Sequence, residues 1–200
     1  MRITKSGLVA FLAMVVAVTI VATSCTHHES SDSPPATSTA GATTLDKNNA
    51  ELRVSFVELE GVRKRMRAGL VRGIGEPIRA WMDAAYLAGD FPLSSYTGKA
   101  FPGWTPGAAR LGLRDRRVTT NAAISKDVVN VVADQRSARL AVFGVRGRTG
   151  GADAQIHLKM TAKKSSGQLV SFAVAGHLYL TRKADHWSIF GYDLHRTVLR

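Results

Sequence analysis

The sequence predicts an α+β domain in which N-terminal helices pack on a curved antiparallel sheet. Apolar residues recur at helical spacing in the first part of the folded region and alternate with polar residues in the last part. Helices followed by a run of strands are the order that α+β proteins show. The 200 residues are 45% hydrophobic and 21% charged, a composition that excludes a wholly disordered chain.

The helical pattern lies between residues 62 and 88. The residues that share one helix face are Val62, Met66, Leu70, Ile74, Ile78 and Met82. A Gly-rich stretch that ends in Pro77 predicts a break, with Pro77 in the first turn of a second helix. Residues 53–61 fit either a short strand or a first helical turn. Further on, Thr105 and Pro106 predict the cap and the first residue of another helix.

Three later segments alternate with a period of two, over residues 154–162, 168–182 and 186–198. Most of their apolar positions are even-numbered, and in 154–162 all of them are. The apolar even set is Ala154, Ile156, Leu158, Met160, Ala162, Val170, Phe172, Val174, Leu178, Leu180, Phe190, Tyr192, Leu194 and Val198. Because side chains alternate between the two faces of a strand, each segment has one apolar face.

The loop lengths decide whether these apolar faces coincide. A three-residue loop at 183–185 would pair Arg182 with His186, so that even-numbered residues meet even-numbered residues. A loop one residue shorter would turn Phe190 and its neighbours to the opposite face. The pattern therefore predicts the longer loop and a meander of three strands with one shared face. Weaker strands near 128–133 and 138–145 would extend the sheet.

The first residues have the layout of an export signal. A basic start is followed by an apolar run at 8–22, which is shorter than the about 20 residues of a comfortable membrane span. Thr23, Ser24 and Cys25 then resemble the lipobox of bacterial lipoproteins, whereas Ala22 departs from it because Leu is usual there. Residues 1–24 are thus expected to be a lipoprotein-type signal peptide, with acyl chains such as palmitate on Cys25. An uncleaved anchor and cleavage by ordinary signal peptidase stay open as alternatives.

The composition changes again after this segment. Residues 25–50 are rich in Ser, Thr and Pro and hold almost no large apolar side chain, so they cannot offset the entropy of ordering. We expect a flexible tether there and a folded domain at 51–200. The tether would hold the domain off the extracytoplasmic face of the cell membrane.

Three motifs carry a resemblance to a known family. Residues 78–90 (IRAWMDAAYLAGD) look like the first helix of the nuclear transport factor two-like superfamily, and residues 187–194 (WSIFGYDL) look like its final strand. Residues 100–109 (AFPGWTPGAA) are similar to lipoproteins of actinobacteria that have no established activity. The resemblance implies a cone-shaped α+β fold. The superfamily includes isomerases, dehydratases and non-catalytic binding domains, so the fold alone gives no function.

An enzyme of that fold needs a carboxylate or His in the cone, opposite a group that stabilises an oxyanion. On the even face the candidates are Tyr192, with Tyr86 or Asp83 from the helix. His177 and His195 fall on the odd face, turned away from the helices. We therefore assign no catalytic residue and treat the three candidates as possible pocket residues. No nucleophile elbow, phosphate loop or metal-ligand spacing is found, so no metal or other cofactor is expected.

The formal net charge of +12 arises from 27 basic and 15 acidic residues. A basic cluster stands out, formed by Arg63, Lys64, Arg65, Arg67 and Arg72. On a helix with its apolar face buried, these side chains project outward. They form either a solvated face or a contact with anionic lipid or cell-wall polymer. Export makes nucleic acid an unexpected partner.

These observations favour a membrane-anchored exported lipoprotein with a non-catalytic module that binds an unknown protein partner or hydrophobic ligand. One alternative is a small isomerase-like or dehydratase-like enzyme that uses the cone as its pocket. A second is an accessory subunit of a cell-envelope complex. An exposed apolar patch on the odd face around Trp187 and Ile189 would favour that second alternative.

Overall fold

The computed structural model describes residues 49–91, 93, 95–124, 126–146 and 148–199. The signal-like segment, Cys25 and most of the tether lie outside the described residues. The strands are β1 (Leu52–Glu60), β2 (Val128–Val145), β3 (Arg148–Lys164), β4 (Leu169–Lys183) and β5 (His186–Leu199). The helices are α1 (Arg67–Met82), α2 (Pro106–Arg114) and α3 (Arg116–Thr119), with a π-helical turn at Asp83–Leu87 and 3-10 turns at Lys64–Met66, Gly98–Ala100 and Asn121–Ala123.

These elements form an α+β fold with one five-stranded mixed sheet in the order β1-β2-β3-β4-β5. The strands β3 to β5 form the predicted three-stranded meander, and β2 extends it as one strand where two weaker strands were expected. The sheet is mixed and not wholly antiparallel as expected, because β1 pairs parallel with β2. Parallel neighbours need a long crossover connection. Here the crossover contains all the helices of the described residues, which places them against one face of the sheet.

The predicted alternation is confirmed in β3 and β4. Their even-numbered apolar side chains are buried against the helices, on what we call the inner face. The buried set is Ala154, Ile156, Leu158, Met160, Ala162, Phe172, Val174, Leu178 and Leu180. From α1, Ile74, Ile78 and Trp81 meet this face and are wholly buried. The burial of both apolar surfaces against each other is the main stabilising term of the fold.

The predicted register of the last hairpin is wrong near its turn. Lys183 pairs with His186, so the loop is one residue shorter than expected. The pairing then shifts at a β-bulge, where Phe190 has no partner and is 52% exposed. An extra residue in one strand reverses the alternation, so Tyr192 returns to the inner face.

The same bulge explains why the odd-numbered residues before it are buried. Trp187 and Ile189 have 7% and 0% of their surface exposed and belong to the core. The exposed apolar patch that we considered around them is therefore absent. The aromatic side chains that do reach solvent there are Phe190 and Tyr179, whose ring centroids lie 6.4 Å apart.

The predicted helix break is also wrong, because α1 continues through Pro77. Pro77 is buried, and the backbone of Gly103 packs directly against its ring. This packing outweighs the loss of one helical hydrogen bond.

The Thr105 cap is confirmed, since its Oγ1 accepts a hydrogen bond from the Ala108 N–H at 3.4 Å. Among the described residues, no helix has the length and apolar character needed to cross a membrane.

Candidate functional site

The space between α1 and the inner face is filled with side chains. Trp81, Tyr86, Phe172 and Leu178 are all wholly buried there. A row of four rings runs from Tyr86 through Trp81 and Trp104 to Tyr192, with successive centroids 5.5, 5.5 and 5.2 Å apart. Packing of this kind is that of a protein core.

The two candidate pocket tyrosines each bond to a protein acceptor. The Tyr192 hydroxyl donates to Asp115 Oδ2 at 2.6 Å, and the Tyr86 hydroxyl donates to the Val118 carbonyl at 2.5 Å. Burial raises the pKa of both phenols, and the bond to Asp115 raises the pKa of Tyr192 further. Both hydroxyls therefore stay protonated. The Tyr86 bond joins the π-helical turn to α3, and the Tyr192 bond joins β5 to Asp115, the residue before α3.

The third candidate, Asp83, has a structural partner of its own. Arg136 Nη1 donates to Asp83 Oδ1 at 2.5 Å, and Arg136 Nε donates to the Ala50 carbonyl. Arg136 is 7% exposed, so this pair compensates a buried charge. Asp83, Tyr86 and Tyr192 thus each hold a different part of the domain together.

The face of the sheet that is turned away from the helices, which we call the outer face, carries the polar side chains at odd-numbered positions that the alternation predicted. His177, Asp193 and His195 line an open groove of about 440 Å³. His177 Nδ1 lies 2.8 Å from Asp153 Oδ1. His157 lines the same groove, and the sequence did not single it out. Within the described ranges, no three His, Cys, Asp or Glu residues come together as a metal site.

The predicted basic cluster is divided between two elements. Arg63 and Arg65 are exposed and lie before α1, whereas Arg67 and Arg72 are exposed on its first turns. Arg67 stacks its guanidinium over the Phe56 ring, 5.7 Å from the centroid. No acidic side chain of the described residues forms an ion pair with these four arginines. The side chain of the remaining member, Lys64, is outside the described part.

A close backbone approach brings this cluster to the end of the sheet. Gly61 has a φ of 62°, and a Cβ there would lie 2.1 Å from the Gly144 carbonyl oxygen. Only glycine tolerates that contact. It brings the segment that leads to Arg63 and Arg65 to the last residues of β2. We call residues 60–65, 145–146, 148 and 183–186 together the hairpin end.

Further basic residues of the hairpin end come from the two β-turns. Arg146 and Arg148 are exposed on both sides of the β2–β3 turn, and Lys183 is exposed at the β4–β5 turn. The acidic residues there are Glu60 and Asp185, of which Asp185 bonds to Arg182 at 3.0 Å. Cations therefore outnumber the free acidic groups at this end.

Apolar side chains reach solvent at the same place. Val145, at the tip of β2, is 75% exposed, and Phe143 two residues before it is 42% exposed. Val57, at a register shift in β1, is 58% exposed. The sequence analysis did not single out this turn. An apolar residue followed by two arginines around the turn was the available signal.

The resemblance to the nuclear transport factor two-like superfamily remains a prediction. No protein-family model, no curated protein sequence and no solved structure matches this chain. Functional conclusions therefore depend on the geometry of the described residues and on the sequence.

Proposed function

We propose that this chain is an exported lipoprotein, anchored through Cys25 at the extracytoplasmic face of the cell membrane. Its cone-like domain is a non-catalytic module that lays its hairpin end on an anionic lipid surface. One observation carries this proposal: Val145 is 75% exposed at the tip of β2, next to the exposed Arg146 and Arg148, which have no ion-pair partner among the described residues.

The physical basis is a combination of charge and apolar area. Each basic residue near an anionic membrane contributes about 1 kcal/mol. Burial of a valine side chain contributes about 1.5 kcal/mol or more. A lipid surface offers both an anionic headgroup layer and an apolar layer beneath it, whereas a cell-wall polymer offers only the charge. The exposed Val145 and Phe143 therefore favour lipid.

The tether geometry is compatible with this contact. The described chain begins at Asn49, beside Ala133 at the opposite end of β1 from the hairpin end. The nine residues of β1 span about 30 Å. Residues 25–50 reach about 80 Å when extended, so an anchored domain can turn its hairpin end to the same membrane.

The interior supports a role without catalysis. The three polar groups that an enzyme would need in the cone are bonded to Asp115, Val118 and Arg136. The apolar space around them is filled by buried side chains. A binding surface on the outside of the domain therefore agrees better with these contacts than an active site inside it.

The anchor is tested with Cys25→Ala in the full chain, by membrane fractionation and mass determination of the N-terminus. We expect the wild-type chain to lose residues 1–24 and gain acyl mass, and the variant to keep its signal segment. A variant processed and acylated like the wild type would contradict the lipoprotein assignment.

The docking surface is tested separately with residues 49–200 and vesicle flotation. We expect binding to anionic vesicles at low salt, weaker binding at high salt and little binding to neutral vesicles, because exposed charges are screened by salt. Equal binding to neutral and anionic vesicles would contradict the electrostatic contact. Binding to cell-wall polymer without binding to vesicles would contradict the choice of lipid.

A further inference from the structure

The strand β5 lies at one edge of the sheet, and only its first part is covered on that side. The Ile189 N–H donates to the Gly103 carbonyl at 2.9 Å, and the Thr105 N–H donates to the Ile189 carbonyl at 2.8 Å. Beyond Ile189, the backbone of β5 has no further hydrogen bond on its free side among the described residues. We call residues 190–199 the open edge.

The direction of the backbone groups on the open edge follows from a contact with Gly176. A Cβ on Gly176 would lie 2.0 Å from the Asp193 carbonyl oxygen, so that carbonyl points toward β4. Successive residues of a strand point their N–H and C=O groups to opposite sides, because hydrogen-bonded and non-hydrogen-bonded pairs alternate. The residues whose backbone groups point away from β4 are therefore Tyr192, Leu194, Arg196 and Val198.

The open edge lacks the features that usually keep sheet edges apart. Natural edge strands carry lysine or proline, are short or irregular, or are covered by another segment. Residues 191–199 contain neither Lys nor Pro, and their pairing with β4 is regular from Gly191 onward. The opposite edge of the sheet, β1, has nine residues and is interrupted by a register shift at Val57. The open edge of β5 is therefore the better template for an added strand.

The side chains of the open edge are complementary to themselves in one register. If two copies pair antiparallel with Leu194 opposite Leu194, then Asp193 lies opposite His195 on the outer face. Both side chains are exposed, and neither has an ion-pair partner among the described residues. Their own N–H groups point to β4, so they form the non-hydrogen-bonded type of pair, in which side chains are closer. The Asp193 carboxylate then accepts a hydrogen bond from the His195 imidazole, and two-fold symmetry makes this contact twice.

The neighbouring registers lack this complementarity. A two-fold axis moved by one residue puts Asp193 opposite Asp193, which is repulsive, or His195 opposite His195, which separates the imidazole from the carboxylate. In the register centred on Leu194, the inner face also brings Tyr192 opposite Arg196, an aromatic ring beside a guanidinium. The side chains therefore favour one arrangement of two identical strands.

We propose that the open edge binds the open edge of a second copy of this chain, in an antiparallel pair centred on Leu194. Two five-stranded sheets then become one sheet of ten strands. The backbone groups of Tyr192, Leu194 and Arg196 exchange about six hydrogen bonds with the same residues of the second copy. The outer-face groove, which Asp193 and His195 line, continues from one copy into the other.

This pairing does not depend on the proposed membrane contact. The two-fold axis reverses the second copy, so the two hairpin ends point in opposite directions and one flat membrane contacts only one of them. Docking of both copies on the same membrane therefore requires the pair to separate. The pairing is measured in solution without vesicles, and its failure would leave the docking surface at the hairpin end unaffected.

The first test measures the mass of the full chain in non-ionic detergent by analytical ultracentrifugation, as a function of protein concentration. We expect the wild-type chain to form dimers. Asp193→Lys replaces the acceptor opposite His195 with a cation and should weaken dimerisation by about tenfold, because the contact is lost twice. Asp90→Lys changes the charge equally at an exposed position outside β5 and should dimerise like the wild type.

The second test determines the register by disulfide cross-linking in a Cys25→Ser background, because Cys25 is the only cysteine of the chain. Leu194→Cys places two thiols opposite each other at the two-fold axis and should give a disulfide-linked dimer on mild oxidation. Thr197→Cys, on the same strand, lies opposite residue 191 of the second copy and should stay largely uncross-linked. A wild-type chain that is monomeric at all concentrations, equally stable dimers of Asp193→Lys and Asp90→Lys, or equal cross-linking at the two cysteine positions would overturn the proposal.

Discussion

Arg136 and Arg196 both lie on the inner face, near opposite edges of the sheet. Arg136 is buried and has an acidic partner, whereas Arg196 is partly buried and has no acidic partner among the described residues. Arg136 in β2 donates to Asp83 Oδ1 and to the Ala50 carbonyl. Arg196 in β5 has an aromatic ring beneath it and an Nη1 atom without an acceptor. The arginines of the hairpin end form a third case, because they are exposed and hydrated.

The difference shows how environment determines what an arginine can do. An exposed arginine keeps its hydration, so it attracts anions weakly and over a distance that salt limits. An enclosed arginine with a protein partner fixes the fold. A partly buried arginine without such a partner keeps a charge that the protein only partly compensates, which is unfavourable.

The largest effect is expected for Arg136→Met. This change removes two hydrogen bonds from a buried position and should lower the free energy of unfolding by about 2 to 3 kcal/mol. The matched control is Arg139→Met, three residues further along β2 and exposed on the outer face, which should change it by less than about 0.5 kcal/mol. Both values are measured by urea unfolding. Equal losses in the two variants would show that the Asp83 pair has no special role.

A smaller effect is expected at the two tyrosines that Arg196 influences. Tyr86→Phe leaves the Val118 carbonyl without its donor and should destabilise the protein by about 1 kcal/mol. Tyr96→Phe removes a hydroxyl that has no partner of full hydrogen-bond geometry and only the Thr120 side chain close to it, so it should cost less stability than Tyr86→Phe. The comparison is made by urea unfolding. A loss at Tyr96 as large as that at Tyr86 would mean that the Tyr96 hydroxyl already has a protein acceptor.

The smallest effect is a dependence on alkaline pH. The pKa of both Tyr86 and Tyr96 is raised above the ordinary 10.0, mainly by burial. The folded state therefore holds these protons more tightly than the unfolded state, and their stabilising contribution is complete below pH 10.0 and is lost as the pH rises through the folded pKa values. Because the charge of Arg196 lowers both pKa values, Arg196→Met should raise them, so that the loss begins at the same pH but continues to higher pH and becomes larger. Unfolding free energies measured across this range check the shift, and an unchanged curve in the variant would contradict it.

Much of the sheet could be predicted because its alternation is strict. The even-numbered apolar residues of β3 and β4 are buried as expected, except Val170, which is partly buried. The last turn could not be predicted, because the bulge at Phe190 compensates for a shorter loop and leaves Tyr192 on the same face. The alternation of even-numbered and odd-numbered positions is the same for a longer loop and for a shorter loop followed by a bulge, so it cannot distinguish the two. Trp187 and Ile189, apolar at odd positions, were the local sign of the shift.

The candidate sites were less predictable than the fold. The exposed arginines of residues 63–72 follow from helical spacing, but their meeting with Arg146 and Arg148 depends on the close approach of Gly61 to Gly144. The environment of Arg196 depends on its contacts with β4, among them the Phe172 ring. Those contacts join residues distant in sequence, so neither periodicity nor local composition contains them.

The most direct test of the proposed function compares two double variants of residues 49–200 in flotation with anionic vesicles. Arg146→Gln with Arg148→Gln removes two charges at the hairpin end, and Arg79→Gln with Arg117→Gln removes two exposed charges elsewhere. Both pairs change the net charge equally. We predict that the first pair loses most of its binding at low salt and that the second pair binds almost like the wild type. Equal losses in both pairs would contradict a docking surface at the hairpin end.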